Sequence, residues 1–205
     1  MKKKIRDARL IKKLQAHELW VESIGRLGTQ LVLDEENLEC YVRDAHHWEQ
    51  SYLTCCSMRS VLVSKADFYA ADIHSCGFHN SIFRGVCFVK ANVSYSGFGG
   101  CKFEHVDYKK AYFDSSNFSA STFESCHLGG ASFMDCNLSR CVFKNCDFDG
   151  IYLDNACLSG CRFINIINVE KAVFLKIIVG SLEQPVMLEG ADAIRWIKER
   201  VIVEE

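Results

Sequence analysis

From Leu33 to Phe163 every fifth residue is large and apolar, with Arg43 the one exception in twenty-seven positions. The chain is 49% hydrophobic, so chance would fill only about half of these positions. From Ser51 to Cys146, and again at Ala156 and Cys161, the residue two before the large one is small, as in Ser81, Val86, Ala91, Ser96, Cys101, Val106, Ala111, Ser116 and Ser121. A period of five matches neither the helix nor the flat strand. It suits a chain that turns a corner every five residues and points two of each five inward. Four such sides close a square coil, and stacked coils lie roughly 4.8 Å apart, like neighbouring strands of a parallel sheet. Repetition of this kind marks a solenoid.

Steps of twenty residues test the idea. The first side stacks Leu53, Ile73, Val93, Phe113, Phe133 and Leu153. The second stacks Met58, Phe78, Phe98, Phe118, Leu138 and Leu158, and the third Val63, Phe83, Phe103, Phe123, Phe143 and Phe163. The fourth stacks Trp48, Phe68, Phe88, Tyr108, Leu128 and Phe148. Small residues are required in the alternate slot because a square interior has no room for four more large side chains at one level. Between six and seven coils give a rod roughly 30 Å long at this spacing.

The quintets Ala111-Tyr112-Phe113-Asp114-Ser115, Ala131-Ser132-Phe133-Met134-Asp135 and Cys146-Asp147-Phe148-Asp149-Gly150 match the A(D/N)LXX form. In them the chain closely resembles the pentapeptide repeat family. The resemblance implies an all-β solenoid, a right-handed quadrilateral β-helix, here with helical N-terminal and C-terminal caps. The first repeats depart from the form, since Glu36, Tyr41 and His46 stand where small residues belong. An irregular start to the coil is expected there.

Three segments follow: 1–30 as a basic N-terminal helix and cap, 31–167 as the repeat coil, and 168–205 as a C-terminal capping segment. Residues 1–30 carry eight basic and three acidic side chains, whereas 31–166 carry eleven and sixteen. Ile5, Leu10, Ile11, Leu14 and Leu19 give residues 2–20 a loosely amphipathic helical pattern, broken by Gly25 and Gly28. A cap for the open coil end is the favoured role, over a cationic arm for nucleic acid or membrane. After Phe163 the period fails, because Asn168 falls where a large residue belongs. Val169 to Val179 is an apolar run of undecided type, and Pro185 is read as a linker residue. A short helix is expected after Gly190 and Asp192. No apolar run is long enough to span a membrane. The Met-Lys-Lys-Lys start lacks the apolar core of a secretory signal, so a cytoplasmic location is expected.

Twelve cysteines raise the prospect of disulfides or zinc. Eight of them occupy the small inward slot, where a thiol acts as a small hydrophobe. Slots one coil apart hold their Cβ atoms roughly 4.8 Å apart, beyond the usual disulfide span. Reduced, inert thiols are therefore expected, with outward Cys87 and Cys157 reacting first. No CxxC pair occurs. His17-Glu18 opens a zincin-like pattern that fails at Val21. No nucleophile–base set and no phosphate loop can be placed, so neither catalysis nor a cofactor nor a metal is expected.

The surface offers the functional lead. Tyr52, Asp72, Tyr95, Tyr112, Asp114, Asp135, Tyr152 and Asp154 fall on one side, whose regular quintets contain no Lys or Arg. Tyrosines are enriched at protein interfaces, so this side is the candidate surface for a protein partner. The resemblance adds an alternative, since the family includes DNA-mimicking proteins that bind DNA gyrase, a topoisomerase, and give quinolone or toxin protection. Direct nucleic-acid binding and membrane association are not expected. Ile194, Trp196, Ile197, Val201 and Val203 form a candidate homodimer interface, because the end segment resembles the C-terminal part of topoisomerase-protecting members.

Overall fold

The structure, a computed structural model, describes residues 7–41, 47–181 and 183–204. Arg43 and His46 lie outside the described residues, as does the start of the expected N-terminal helix. The chain winds into a right-handed quadrilateral β-helix of about seven turns with a helix at each end.

Every large residue of the stacks named above is buried, from Trp48 through Phe163. Rings one coil apart lie face to face, as with Phe98 and Phe118 (4.7 Å, 4°) and Phe103 and Phe123 (4.9 Å, 19°). Offset stacking of this kind adds to the burial of each ring. Backbone hydrogen bonds tie each coil to both neighbours. The Asn117 amide donates to Ser96 (2.9 Å) and the Phe118 amide to Asn137 (2.8 Å).

The corners have one cause. Every fifth residue from Gln50 to Asn165 has φ between +51° and +71°. This left-handed residue, two after the large one, swings the chain through the corner. Glycine tolerates it freely, yet most corners here carry side chains, among them Tyr95, His105 and Asp135. Coil closure outweighs the local cost at each.

The small slot does more than save space. Ser121 Oγ donates to the Phe98 carbonyl (2.8 Å) and accepts from the Cys101 amide (3.0 Å). Cys136 and Cys141 thiols donate to the Phe113 and Phe118 carbonyls at 2.9 and 3.0 Å. These side chains satisfy backbone groups at the corner of the coil below. The expectation of a purely hydrophobic role for the slot cysteines is thus corrected. Burial pushes the Cys101 and Cys136 thiols up to about 12, and all twelve cysteines are free thiols.

Three sheets result. Strands β1 (Val32–Asp34), β2 (Tyr52–Thr54) and β4 (Asp72–His74) pair in parallel on the first side. The third side is a seven-stranded sheet of β3 (Leu62–Ser64), β5 (Ile82–Arg84), β6 (Lys102–Glu104), β7 (Thr122–Glu124), β8 (Val142–Lys144), β10 (Arg162–Ile164) and β13 (Val201–Ile202). A third sheet joins β9 (Ala156–Cys157), β11 (Lys176–Gly180) and β12 (Pro185–Glu189).

Helix α1 (Ala8–Glu22) lies over the first coil, burying Leu10 and His17. The Lys13 ammonium donates to the Val32 carbonyl (3.1 Å), and Arg9 pairs with Glu36. Tyr41, out of pattern as a small residue, is buried and takes the Asp7 amide on its hydroxyl. The return from helix to coil passes Gly28 at φ +73°, where a Cβ would stand 2.1 Å from the Ala16 carbonyl oxygen.

At the other end the coil continues past the expected break. Asn168 is one extra residue at φ +57°, and Val169 is buried in its place. Pairing then resumes twenty-one residues apart, with Tyr152 beside Val173 and Ala156 beside Ile177. The undecided apolar run thus holds a 3-10 turn at Val169–Lys171 and then β11. Pro185 opens β12 rather than lying in a linker, on the outer strand where its missing amide costs no ladder bond. Gly190 and Asp192 belong to α2 (Gly190–Lys198) itself, rather than preceding the helix.

Candidate protein-interaction face

The first side is built from the quintets beginning at Leu31, Ser51, Ala71, Ala91, Ala111, Ala131 and Ile151. The residue before each large one forms an outward column: Val32, Tyr52, Asp72, Asn92, Tyr112, Ser132, Tyr152 and Val173. These pair in register from coil to coil. Tyr95 and Asp135 stand at corners of the same side, at φ 56° each. Asp114 and Asp154 follow the large residue. The structure therefore brings all eight candidate residues together on one side.

Between residues 47 and 165 the exposed large hydrophobic or aromatic side chains are Tyr52, Leu62, Tyr95, Tyr112, Met134 and Tyr152. All but Leu62 are on this side. Tyr95 is the most open, at 69%, and Tyr152 the least of the four tyrosines, at 42%. The part of each ring that faces water gains nothing for the fold, whereas on contact it supplies area at low entropic cost.

The carboxylates are held in place by the coil above. Asp114 Oδ1 accepts from Ser132 Oγ (2.5 Å) and from the Met134 amide (3.2 Å). Asp154 Oδ1 accepts the Leu175 and Lys176 amides at 2.9 and 3.0 Å. Asp135 takes Asn155 Nδ2 at 2.6 Å, and Asp72 takes Asn92 Nδ2 at 3.2 Å. Among the described residues none of these four is ion-paired with Lys or Arg; His74 approaches Asp72 at 3.8 Å. The side contains six acidic residues, adding Asp34 and Glu35, and its seven quintets contain no Lys or Arg.

The end segment is used differently. Ile197 is buried under α2, and Trp196 meets Phe163 edge-on at 6.2 Å, with Arg200 over its other surface at 4.2 Å. Val201 pairs with Phe163 within the chain's own third-side sheet. These three therefore close the coil end. Ile194 is half-buried, and Val203 is exposed beside Ile202.

Sequence reasoning weighed His17 only as a metal ligand and missed its structural role. Its Nδ1 accepts the Leu31 amide (3.1 Å), so the ring proton belongs on Nε2, which is buried without a partner among the described residues. Trp20 stacks on the ring at 5.7 Å. Burial lowers its pKa, the Glu49 backbone opposes this, and His47 lowers it further. A lone histidine in an amphipathic helix gave no signal of this role. Among the described residues no group of three His, Cys, Asp or Glu converges on a metal position. No described helix is long and apolar enough to cross a membrane.

Comparison with curated proteins finds no match. Among solved structures the chain is similar to QnrB1, a plasmid-mediated fluoroquinolone resistance protein. Identity is 16%, over 75% of this chain and 93% of that one, with a TM-score of 0.32. It is similar to HetL, involved in heterocyst differentiation regulation in the cyanobacterium Nostoc. There identity is 15%, over 73% and 79% of the two chains, with a TM-score of 0.24. A third likeness is to Rfr23 from the cyanobacterium Cyanothece, at 15% identity over 71% and 85%, with a TM-score of 0.26. At these scores none bears on what this chain binds. A family model described as pentapeptide repeats (9 copies) matches residues 98–142 and 123–167. That match spans 98–167, so the chain is similar to the pentapeptide repeat family there, and the five-residue coil runs on beyond it on both sides.

Proposed function

We propose that this protein acts without catalysis, as a rigid rod that docks a protein partner on its first side. The observation that carries the reading is the gathering of exposed tyrosines and carboxylates on one side that has no Lys or Arg in its seven quintets. Such a side offers contact area and charge to a basic partner surface. The cytoplasm suits it, since all twelve cysteines are thiols. The test is capture from the native host by cross-linking, with two variants. One changes Tyr52, Tyr112 and Tyr152 to Ser. The control changes Lys102, Thr122 and Val142 on the third side to Ser. A partner held by the native protein and the control, but lost from the tyrosine variant, supports the reading. Equal capture by all three defeats it.

A topoisomerase such as gyrase is the second reading, favoured by the same side, whose charged residues in seven quintets are six acids and no Lys or Arg. Six carboxylates along a rod roughly 30 Å long fall well short of DNA, which carries one charge per about 1.7 Å. Purified protein should then alter gyrase supercoiling, less so in salt and less after Asp114, Asp135 and Asp154 become Asn. Unchanged supercoiling with and without a quinolone removes this reading and leaves the first. A homodimer would use the C-terminal end, where Ile202 and Val203 are exposed and the outer edge of β12 is open. Sedimentation of the native chain and of Val203→Lys tests it.

A further inference from the structure

The tyrosines of the first side are not evenly spaced, and the gaps have a definite chemistry. In the outward column Tyr52, Tyr112 and Tyr152 are separated by two unequal intervals, with Asp72 and Asn92 in the first and Ser132 in the second. One interval is three coils, roughly 14 Å, and the other two coils, roughly 10 Å. Both floors are lower than their rims. Asp72 and Asn92 are half-buried, and Ser132 is buried with its hydroxyl donated to Asp114. Each gap is a notch with a ring at either end and carboxylate in or beside it.

A point midway between Tyr112 and Tyr152 lies about 5 Å along the axis from each column position, so a ring leaning into the notch can reach a cation there at the roughly 6 Å centroid distance of a cation–π contact. Asp114 and Asp154 stand beside the same notch, with the exposed Met134 between them at the Ser132 level, and the amides they accept fix their chain positions. In the wider notch Asp72 supplies the charge, and Tyr95 stands at the corner of the Asn92 coil. Side chains of Lys or Arg would satisfy both notches; an anion or a carboxylate would be repelled by both. The notch centres lie two to three coils apart, about 10–14 Å along the axis.

Resting on the docking reading above, we propose that the partner anchors by two cationic side chains about 10–14 Å apart, one in each notch, on a segment lying along the rod. Tyr112 is the shared wall. A helix presents two such side chains on one face at positions i and i+7, about 10.5 Å apart.

The test uses the full chain and two alanine-rich helical peptides of equal charge. One carries arginines seven positions apart, the other three apart. The seven-apart peptide should bind at least tenfold more tightly. That preference should vanish in Tyr112→Ala and persist in Lys102→Ala on the third side, with both variants checked for the native melting temperature. Equal affinity for the two peptides, no binding of either at millimolar concentration, or a preference that survives Tyr112→Ala overturns the proposal. If a captured partner is still lost from the tyrosine variant, only the two-cation anchor fails and the docking reading stands. If the partner ignores the tyrosines as well, both fail.

Discussion

The first and third sides of this rod face away from each other and share one interior, yet their outer surfaces are opposites. Inside, Phe113 on one and Phe103 on the other are both fully buried. Outside, the third side carries Lys65, Arg84, Lys102, Lys144 and Arg162 against Glu104 and Glu124, while the first carries acids alone in its seven quintets. On the third side the residue before each large one runs Leu62, Ile82, Lys102, Thr122, Val142, Arg162, and the side is a continuous sheet. On the first, Asp72, Asn92 and Ser132 intervene, and regular strands end at His74. Branched and long side chains favour the extended side, and Asp, Asn and Ser favour turns. The coil tolerates either, because closure depends on the two inward residues of each five and on the corner. Outward residues are left free to specialise, and the first side has done so.

That division is open to a direct attack. Phe113→Ala and Phe103→Ala should each cost about 3–5 kcal/mol, as deletion of a buried ring does. Tyr112→Ser and Lys102→Ser, directly outside them, should stay within about 0.5 kcal/mol. Denaturant unfolding of the four variants decides it. One inner substitution tolerated and the other not would mean that the sides differ within as well as without.

The five-residue period was legible because it concerns only which side chains point inward. The same step of twenty places all eight Tyr and Asp residues on one side from the sequence alone. What periodicity does not carry is donor geometry. It showed that Ser121 and Cys141 must be small, not that they bond to the carbonyls of the preceding coil. Nor does it see single insertions, so the extra residue at Asn168 looked like the end of the coil. The pairing of Val201 with Phe163 joins segments with a hairpin and a helix between them, and no local pattern announces it. Among the thiols, Cys55 at a first-side corner is exposed, whereas Cys87 and Cys157 are half-buried, contrary to the expectation that those two react first. Burial pushes Cys87 up to about 11. An outward position in the sheet is still shaded by its neighbours one coil away.

Both sides begin under the same cap, and pH probes it through His17, with the pKa of the less buried His79 in the wall depressed by burial in the same direction. Of the described histidines only His17 is buried. Its folded pKa lies below its ordinary value of about 6.5 because burial penalises the charged ring. The unfolded chain therefore takes up a proton that the folded chain refuses. Stability from this group is complete above about pH 6.5 and declines as pH falls towards the folded pKa. The loss is about 1.4 kcal/mol per unit by which the pKa is depressed. Urea unfolding at pH 7.5 and 5.5 should show a smaller difference in His17→Gln than in the native chain. An unchanged difference would place the sensitivity in the walls.

The smallest effect gives the sharpest comparison. Tyr95 and His105 occupy equivalent corners of the first and third sides, at φ 56° and 54°. A left-handed conformation costs an L-residue about 1–2 kcal/mol. Glycine removes that cost but adds about 0.4–1 kcal/mol of unfolded-state entropy. Tyr95→Gly and His105→Gly should therefore each gain about 0.5–1 kcal/mol, a rise of a few degrees in Tm for a chain of this length. Equal gains would establish that neither ring supports the coil. Partner binding must then divide them, with Tyr95→Gly weakening it and His105→Gly leaving it alone. If Tyr95→Gly instead lowers the Tm, the ring packs against its own side, and its exposure is no longer an argument for an interface. If both variants bind alike, the aromatic corner is an accident of a coil indifferent to its outer residues, and the contrast between the two sides rests on the column of Tyr52, Tyr112 and Tyr152 alone.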